Sequence, residues 1–154
     1  MNYPHYQPDV VFVDSYEKYF NSELSPANQW WQITFSKSVW IESYLIKTDP
    51  NRGARPKSWV VNASFDNETW EQVDDVSLEG DIGGNTTPFK LKKIINCLYF
   101  RLILRKSTWS DHQFVFSYFD CFGPAEKYRM SKKNYFNFDI ISNILLYSLM
   151  NTNT

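Results

Sequence analysis

The chain has 154 residues, a length that suits one domain with a single core. Sixteen basic residues against 17 acidic ones leave a formal net charge of −1, so no large basic field exists to neutralise phosphates, and general nucleic-acid binding is disfavoured. Hydrophobic residues make up 43% and aromatics 18%, which excludes disorder and favours strands, where rings cover a half-buried pleated surface.

In chain order, residues 1–28 are irregular, with Pro4, Pro8 and Pro26 as breakers and a short apolar piece at 10–13 suited to an edge strand. Trp31-Gln32-Ile33-Thr34-Phe35 alternates apolar and polar residues, the period of a strand with one buried face. Residues 39–48 are rich in β-branched and aromatic side chains and end at Asp49-Pro50-Asn51-Arg52-Gly53, a strong turn signal. In residues 58–65, Trp59, Val61, Ala63 and Phe65 share one face, and Asp66-Asn67-Glu68 turns the chain towards a short strand opened by Trp70 and Val73. Residues 80–88 read as a glycine-rich loop, and 89–91 as a short extended piece. Leu98, Phe100, Leu102 and Leu104 alternate with Tyr99, Arg101, Ile103 and Arg105. A polar loop follows at 106–113, then a strand over 114–122 with Phe114, Phe116, Tyr118 and Phe122 on one side. Short strands at this spacing predict a sandwich or barrel, and no helical period before residue 125 supports a parallel α/β sheet.

Residues 124–154 form an extension beyond the domain of residues 1–123. After the basic residues Lys127, Arg129, Lys132 and Lys133, the spacing of Ile140, Ile141, Ile144, Leu145 and Leu149, with Asp139 as a cap, predicts a helix. It is too short and polar for a standard membrane span; packing on the sandwich or on a partner is the plain reading, and a basic amphipathic membrane anchor the alternative.

The start, Met1-Asn2-Tyr3-Pro4-His5, has no basic segment followed by an apolar run, so no secretory signal is expected. Cys97 and Cys121 show no metal spacing. They read as two reduced thiols of a cytoplasmic protein, against the alternative of a disulfide between neighbouring strands. The sequons at Asn62, Asn67 and Asn85 are then chance matches.

The run Arg55-Pro56-Lys57-Ser58-Trp59 through Asp66-Asn67-Glu68-Thr69-Trp70 resembles the centre of the discoidin family, also called the coagulation factor V/VIII type C domain. The flanks agree. Trp30-Trp31-Gln32-Ile33-Thr34-Phe35 resembles the family's early Trp strand, Tyr99-Phe100-Arg101-Leu102 its late strand with an arginine, and Phe119-Asp120-Cys121-Phe122-Gly123 its closing Glu-Leu-Phe-Gly, with Asp120 in the Glu position. The resemblance covers roughly residues 10–123. It implies an all-β fold, an eight-stranded antiparallel jelly-roll sandwich of the galactose-binding-like kind, and a non-catalytic module that binds sugars, phospholipid surfaces or proteins at its loop end. The N-terminal cysteine that secreted members pair with the last strand is missing, and so is the Asp-Gly-Asn segment that often helps hold calcium. No cofactor is expected; Asp14 and Asp120 are the only carboxylates offered for calcium.

The candidate ligand-binding residues lie in loops. Trp109, among polar neighbours, suits the apolar face of a sugar ring or an interface, and folding back onto the domain fits it equally. Arg52 and Arg55 flank Gly53-Ala54 and carry planar forks of donors. Asn85 and His112 would add hydrogen bonds from two further loops. Trp59 and Trp70 read as core, and Arg101 as structural, paired with a buried carboxylate. Catalysis has no support: Asp111 and His112 are adjacent rather than facing, and no nucleophile elbow, metal motif or phosphate loop occurs. The expected ligand is a carbohydrate; the alternatives are a protein partner in a cytoplasmic assembly and, further off, a phospholipid surface.

Overall fold

A computed structural model describes residues 19–22, 29–84, 87–109, 113, 115–124 and, as backbone, 139–142. Its elements are β1 (Phe20–Asn21), β2 (Trp30–Lys47), β3 (Pro56–Ser64), β4 (Glu71–Ser77), β5 (Phe89–Ser107), β6 (Val115–Phe116), β7 (Tyr118–Phe122) and β8 (Asp139–Ser142). All pairings are antiparallel. One small sheet joins β1 to β6, and a larger one runs β4-β3-β5-β2-β7, with β8 also paired to β2.

Two strands are long, at 18 residues for β2 and 19 for β5. Their first contacts pair Trp30–Thr34 with Ile103–Tyr99; the register then jumps, and pairing resumes at Val39 with Cys97. The extra residues Ser36, Lys37 and Ser38 are exposed, as expected where a bulge bends a strand. The bend folds the sheet over itself. Along the sheet, β2 and β4 stand three strands apart, about 14 Å, yet the Tyr44 hydroxyl of β2 donates to Asp74 Oδ2 of β4 at 2.8 Å. The two halves of β2 and β5 therefore belong to opposite layers of a sandwich. One layer contains β4, β3 and the later half of β5; the other contains β7 and the later half of β2.

The core lies between the layers. Trp31, Ile33, Trp59, Val61, Ala63, Phe100, Leu102 and Leu104 point into it, as their alternation predicts. Trp31 meets Phe116 edge-on at 5.3 Å and Phe119 at 4.8 Å; Tyr44 stacks on Phe89 at 5.4 Å. Rings at these separations add directional preference to the area they bury.

Several expectations are corrected. Phe65 leaves the face of Trp59: β3 ends at Ser64, and the Phe65 ring is 54% exposed. Leu98 is only half-buried, because the jump in register puts Cys97 and Phe100 inward instead. The strand over 114–122 breaks at Ser117, whose N–H donates to Lys47 O at 2.9 Å. Past that bend, Phe119 and Cys121 turn inward and Phe122 outward. In the extension, Asp139–Ser142 forms strand β8 rather than a helical turn, pairing with Trp31–Thr34. An open strand edge offers those backbone groups partners at once, and two consecutive isoleucines suit a pleated surface. Ile144, Leu145 and Leu149 lie outside the described residues, as does the edge strand expected at 10–13.

Both cysteines are buried and free. Cys97 is on β5 and Cys121 on β7, with β2 between them. Two strand spacings, about 10 Å, exceed the reach of a disulfide, at most about 7 Å between Cα atoms. Burial pushes the Cys97 thiol up to about 12, and raises Cys121 as well.

Candidate functional site

The described parts of three connections meet at one end of the sandwich: residues 48–55 between β2 and β3, 78–84 between β4 and β5, and 108–109 after β5. Arg55 ties them together. Its Nε donates to Asp81 Oδ2 at 3.1 Å, and its Nη2 pairs with the same carboxylate. Its Nη1 donates to Pro50 O at 2.8 Å and to Arg52 O. Its backbone N–H donates to Thr108 Oγ1 at 3.1 Å, while Thr108 N–H donates to Arg55 O at 2.9 Å. Val115 N–H adds a bond to the carbonyl of Ala54, a buried residue held at φ 57°, a conformation costing a non-glycine residue on the order of 1 kcal/mol. Thr48 Oγ1 donates to Gly83 O, fastening the first loop to the second.

This clamp positions Trp109. Its indole lies against Gly53, so close that a Cβ there would meet Cε2 and Cζ2 at 1.7 Å. The ring is nonetheless 73% exposed. One face rests on its own domain, and most of the surface meets water. Beside it, Arg52 stacks over the Tyr19 ring at 3.8 Å and faces Asp49 Oδ2 at 3.4 Å. Asp49 also accepts from Asn51 N–H at 2.9 Å, which closes the turn.

The structure thus gathers Arg52, Arg55 and Trp109 at one end. Arg55 has its donors occupied by protein acceptors, whereas Arg52 is partly open. Asn85 and His112 lie outside the described residues, as does Asp14. Sequence reasoning missed Tyr19, Asp49, Asp81 and Gly53. Asp49 was visible only as a turn former, and Asp81 lay in a loop read for its glycines. For calcium, no cluster of three or more potential ligands exists among the described residues. The Asp120 carboxylate instead accepts from Tyr118 hydroxyl at 3.0 Å and Cys121 N–H at 2.9 Å.

Hydrogen bonding from Arg55 holds the Asp81 carboxyl below the usual carboxylate range, helped by Gly83 N–H at 2.7 Å. A depressed folded-state value gives stability that is present above the unfolded value and lost as pH falls through the folded one. On acid titration the Gly83 amide resonance should therefore move with a midpoint below about 3.9, the ordinary aspartate value. A midpoint at or above it would show that Arg55 does not hold the ionised acid.

The family model of the F5/8 type C domain matches residues 3–118. The chain belongs to this family. No curated protein matches it. Among solved structures, it is similar to CBM32-1 from a family 31 glycoside hydrolase of Clostridium perfringens, with 20% identity, a TM-score of 0.63, and coverage of 75% of this chain and 84% of that one. Chitosan-binding module 2 from a chitosanase/glucanase of Paenibacillus sp. IK-5, in complex with chitotriose, gives 13% identity, a TM-score of 0.61, and coverage of 77% and 88%. A CBM32-5 module from Clostridium perfringens, in complex with GalNAc-beta-1,3-galactose, gives 8%, 0.64, and coverage of 74% and 81%. At these identities the likeness establishes the F5/8 type C fold, an all-β sandwich.

Trp59 is core, at 0% exposure. Trp70 is not. It is half-buried on the outer face, packed on Arg101 at 3.8 Å and against Tyr99 at 6.5 Å. Among the described residues Arg101 has no carboxylate partner: its Nε and Nη2 both donate to Gln32 Oε1, at 2.9 and 2.7 Å.

Proposed function

We propose that this F5/8 type C domain is a non-catalytic carbohydrate-binding module whose loop end takes a sugar ring on the open face of Trp109. The observation that carries this reading is the indole itself, 73% exposed yet fixed on Gly53 by a loop clamped through Arg55. Leaving an aromatic ring in water forgoes roughly 1.5–3 kcal/mol of burial. A rigid ring loses little conformational freedom when a ligand covers it. Arg52 beside it offers donors to hydroxyls, with Asp49 as an acceptor. Two of the similar solved structures are complexes, one with GalNAc-beta-1,3-galactose and one with chitotriose, which supports the same ligand class.

Titration with galactose-type sugars and chitooligosaccharides, followed by tryptophan fluorescence, tests the reading. Trp109→Ala should weaken binding by about 2 kcal/mol, roughly thirtyfold, with unfolding midpoints unchanged. Absence of binding to any sugar at millimolar concentration, or unaltered binding by the variant, overturns it and leaves a protein ligand as the function of this end.

A further inference from the structure

Away from the loops, a row of polar residues crosses the outer face of one layer. The register places Gln72, Asn62, Arg101 and Gln32 side by side on β4, β3, β5 and β2. Their neighbours Val61, Ala63, Phe100, Leu102, Trp31 and Ile33 are in the core, so the row itself points outward. Arg101 lies six residues before the end of β5, about 20 Å from the loop end at the strand's rise per residue.

Three features distinguish Arg101. Its guanidinium is sandwiched between two indoles, 4.2 Å from Trp30 and 3.8 Å from Trp70. Such stacking fixes the plane of the fork. Two of its nitrogens share the single acceptor Gln32 Oε1, on a side chain only 1% exposed, while Nη1 has no hydrogen-bond partner among the described residues. No carboxylate there forms an ion pair with it, although the other paired arginines, Arg52, Arg55 and Arg105, each have an aspartate. Burial alone draws its pKa down to about 10, with no compensating charge. In the same row, Asn62 Oδ1 is buried with no hydrogen-bond partner. A desolvated charge and an unmet acceptor side by side both raise the free energy of this face.

We infer that Arg101, with Asn62, forms a second binding site on the outer face, separate from the loop end, for an oxyanion that also carries a hydroxyl. The oxyanion accepts from Nη1, and the hydroxyl donates to Asn62 Oδ1. A hydroxylated carboxylate such as a uronate and a hydrogen phosphate both have this chemistry, and they are distinguished by using each as a probe.

The test titrates the full chain with galacturonate, with inorganic phosphate and with galactose as a neutral control, at constant ionic strength, and follows the Trp30 and Trp70 indole N–H resonances. Saturable shifts with galacturonate, phosphate or both are expected, and none at those two resonances with galactose. The stronger response names the source of the oxyanion. Arg101→Gln should lower the affinity at least tenfold. Arg101→Lys, which keeps the charge and the packing stem, should retain partial binding and guards against misfolding of the first variant. Trp109→Ala should leave these shifts in place while weakening sugar binding, so the two sites fail separately. No saturable shift with either anion, or the same affinity in Arg101→Gln, overturns the inference.

Discussion

Trp59→Ala is expected to lower the stability of the domain by about 3–5 kcal/mol, the range for removing a buried aromatic. Two separate contacts converge on this side chain. It is fully buried, and it meets Phe89 edge-on at 5.1 Å across the sandwich. Its Nε1 donates to the Tyr44 hydroxyl at 2.9 Å, which in turn donates to Asp74 Oδ2 at 2.8 Å. That chain joins the two layers and satisfies a carboxylate that is 8% exposed and has no ion pair among the described residues. Its other oxygen accepts from Asp75 N–H, at 2.9 Å. Burial and the Asp74 charge drive the Tyr44 phenol far above its ordinary value, so it stays a donor at every accessible pH. Tyr44→Phe should accordingly cost about 1–3 kcal/mol, since it leaves both an indole N–H and a carboxylate oxygen unpaired while hardly changing volume. Denaturant melts of both variants decide the matter. Comparable small losses would show that the layers are held by apolar area alone, with the polar chain incidental.

This network shows where sequence reading reaches and where it stops. The inward faces of Trp31 and Ile33, of Trp59, Val61 and Ala63, and of Phe100, Leu102 and Leu104 follow from alternation, because side-chain period two is a local property of a strand. The partner of Trp59 does not follow from it. Tyr44 and Asp74 are 15 and 30 residues from Trp59 and Tyr44 respectively, and only the bends in β2 and β5 bring them together. Those bends were not legible either: the strand readings stop at Phe35 and resume at residue 39, with nothing assigned to Ser36, Lys37 and Ser38 between them. Phe65 and Phe122 were misplaced for a related reason: alternation was carried past the point where each strand turns.

The loop end divides similarly. An indole among polar residues was visible as a candidate at Trp109, and so were guanidinium forks at Arg52 and Arg55. What each fork does depends on neighbours contributed by other loops. Arg55 is surrounded by acceptors from three positions, Asp81, Pro50 and Arg52, so it positions the loops. Arg52 has a ring on one side and a single carboxylate on the other. The family resemblance located the domain through its core, while the candidate binding residues sit in segments where the core pattern is silent.

Gly53→Ala should weaken sugar binding almost as much as Trp109→Ala. The backbone of Gly53 requires no left-handed conformation, since Gly83 is the one described glycine with positive φ, so alanine is tolerated there on conformational grounds. The obstacle is steric. The new Cβ would sit 1.7 Å from Trp109 Cε2 and Cζ2 and 2.4 Å from Cη2, far inside contact distance, and the indole must leave its seat. The core is untouched, so the unfolding free energy should change by less than about 1 kcal/mol, as is usual for substitutions at the surface. The affinity should fall by about 2 kcal/mol, as in Trp109→Ala, because both variants remove the same platform. Combining the two gives the sharper result. If glycine acts only by seating the indole, the double variant binds no worse than either single one, a coupling nearly equal to the whole effect. Additive losses would mean that Gly53 contacts the ligand itself, with its backbone part of the sugar's bed and not merely the floor beneath the tryptophan.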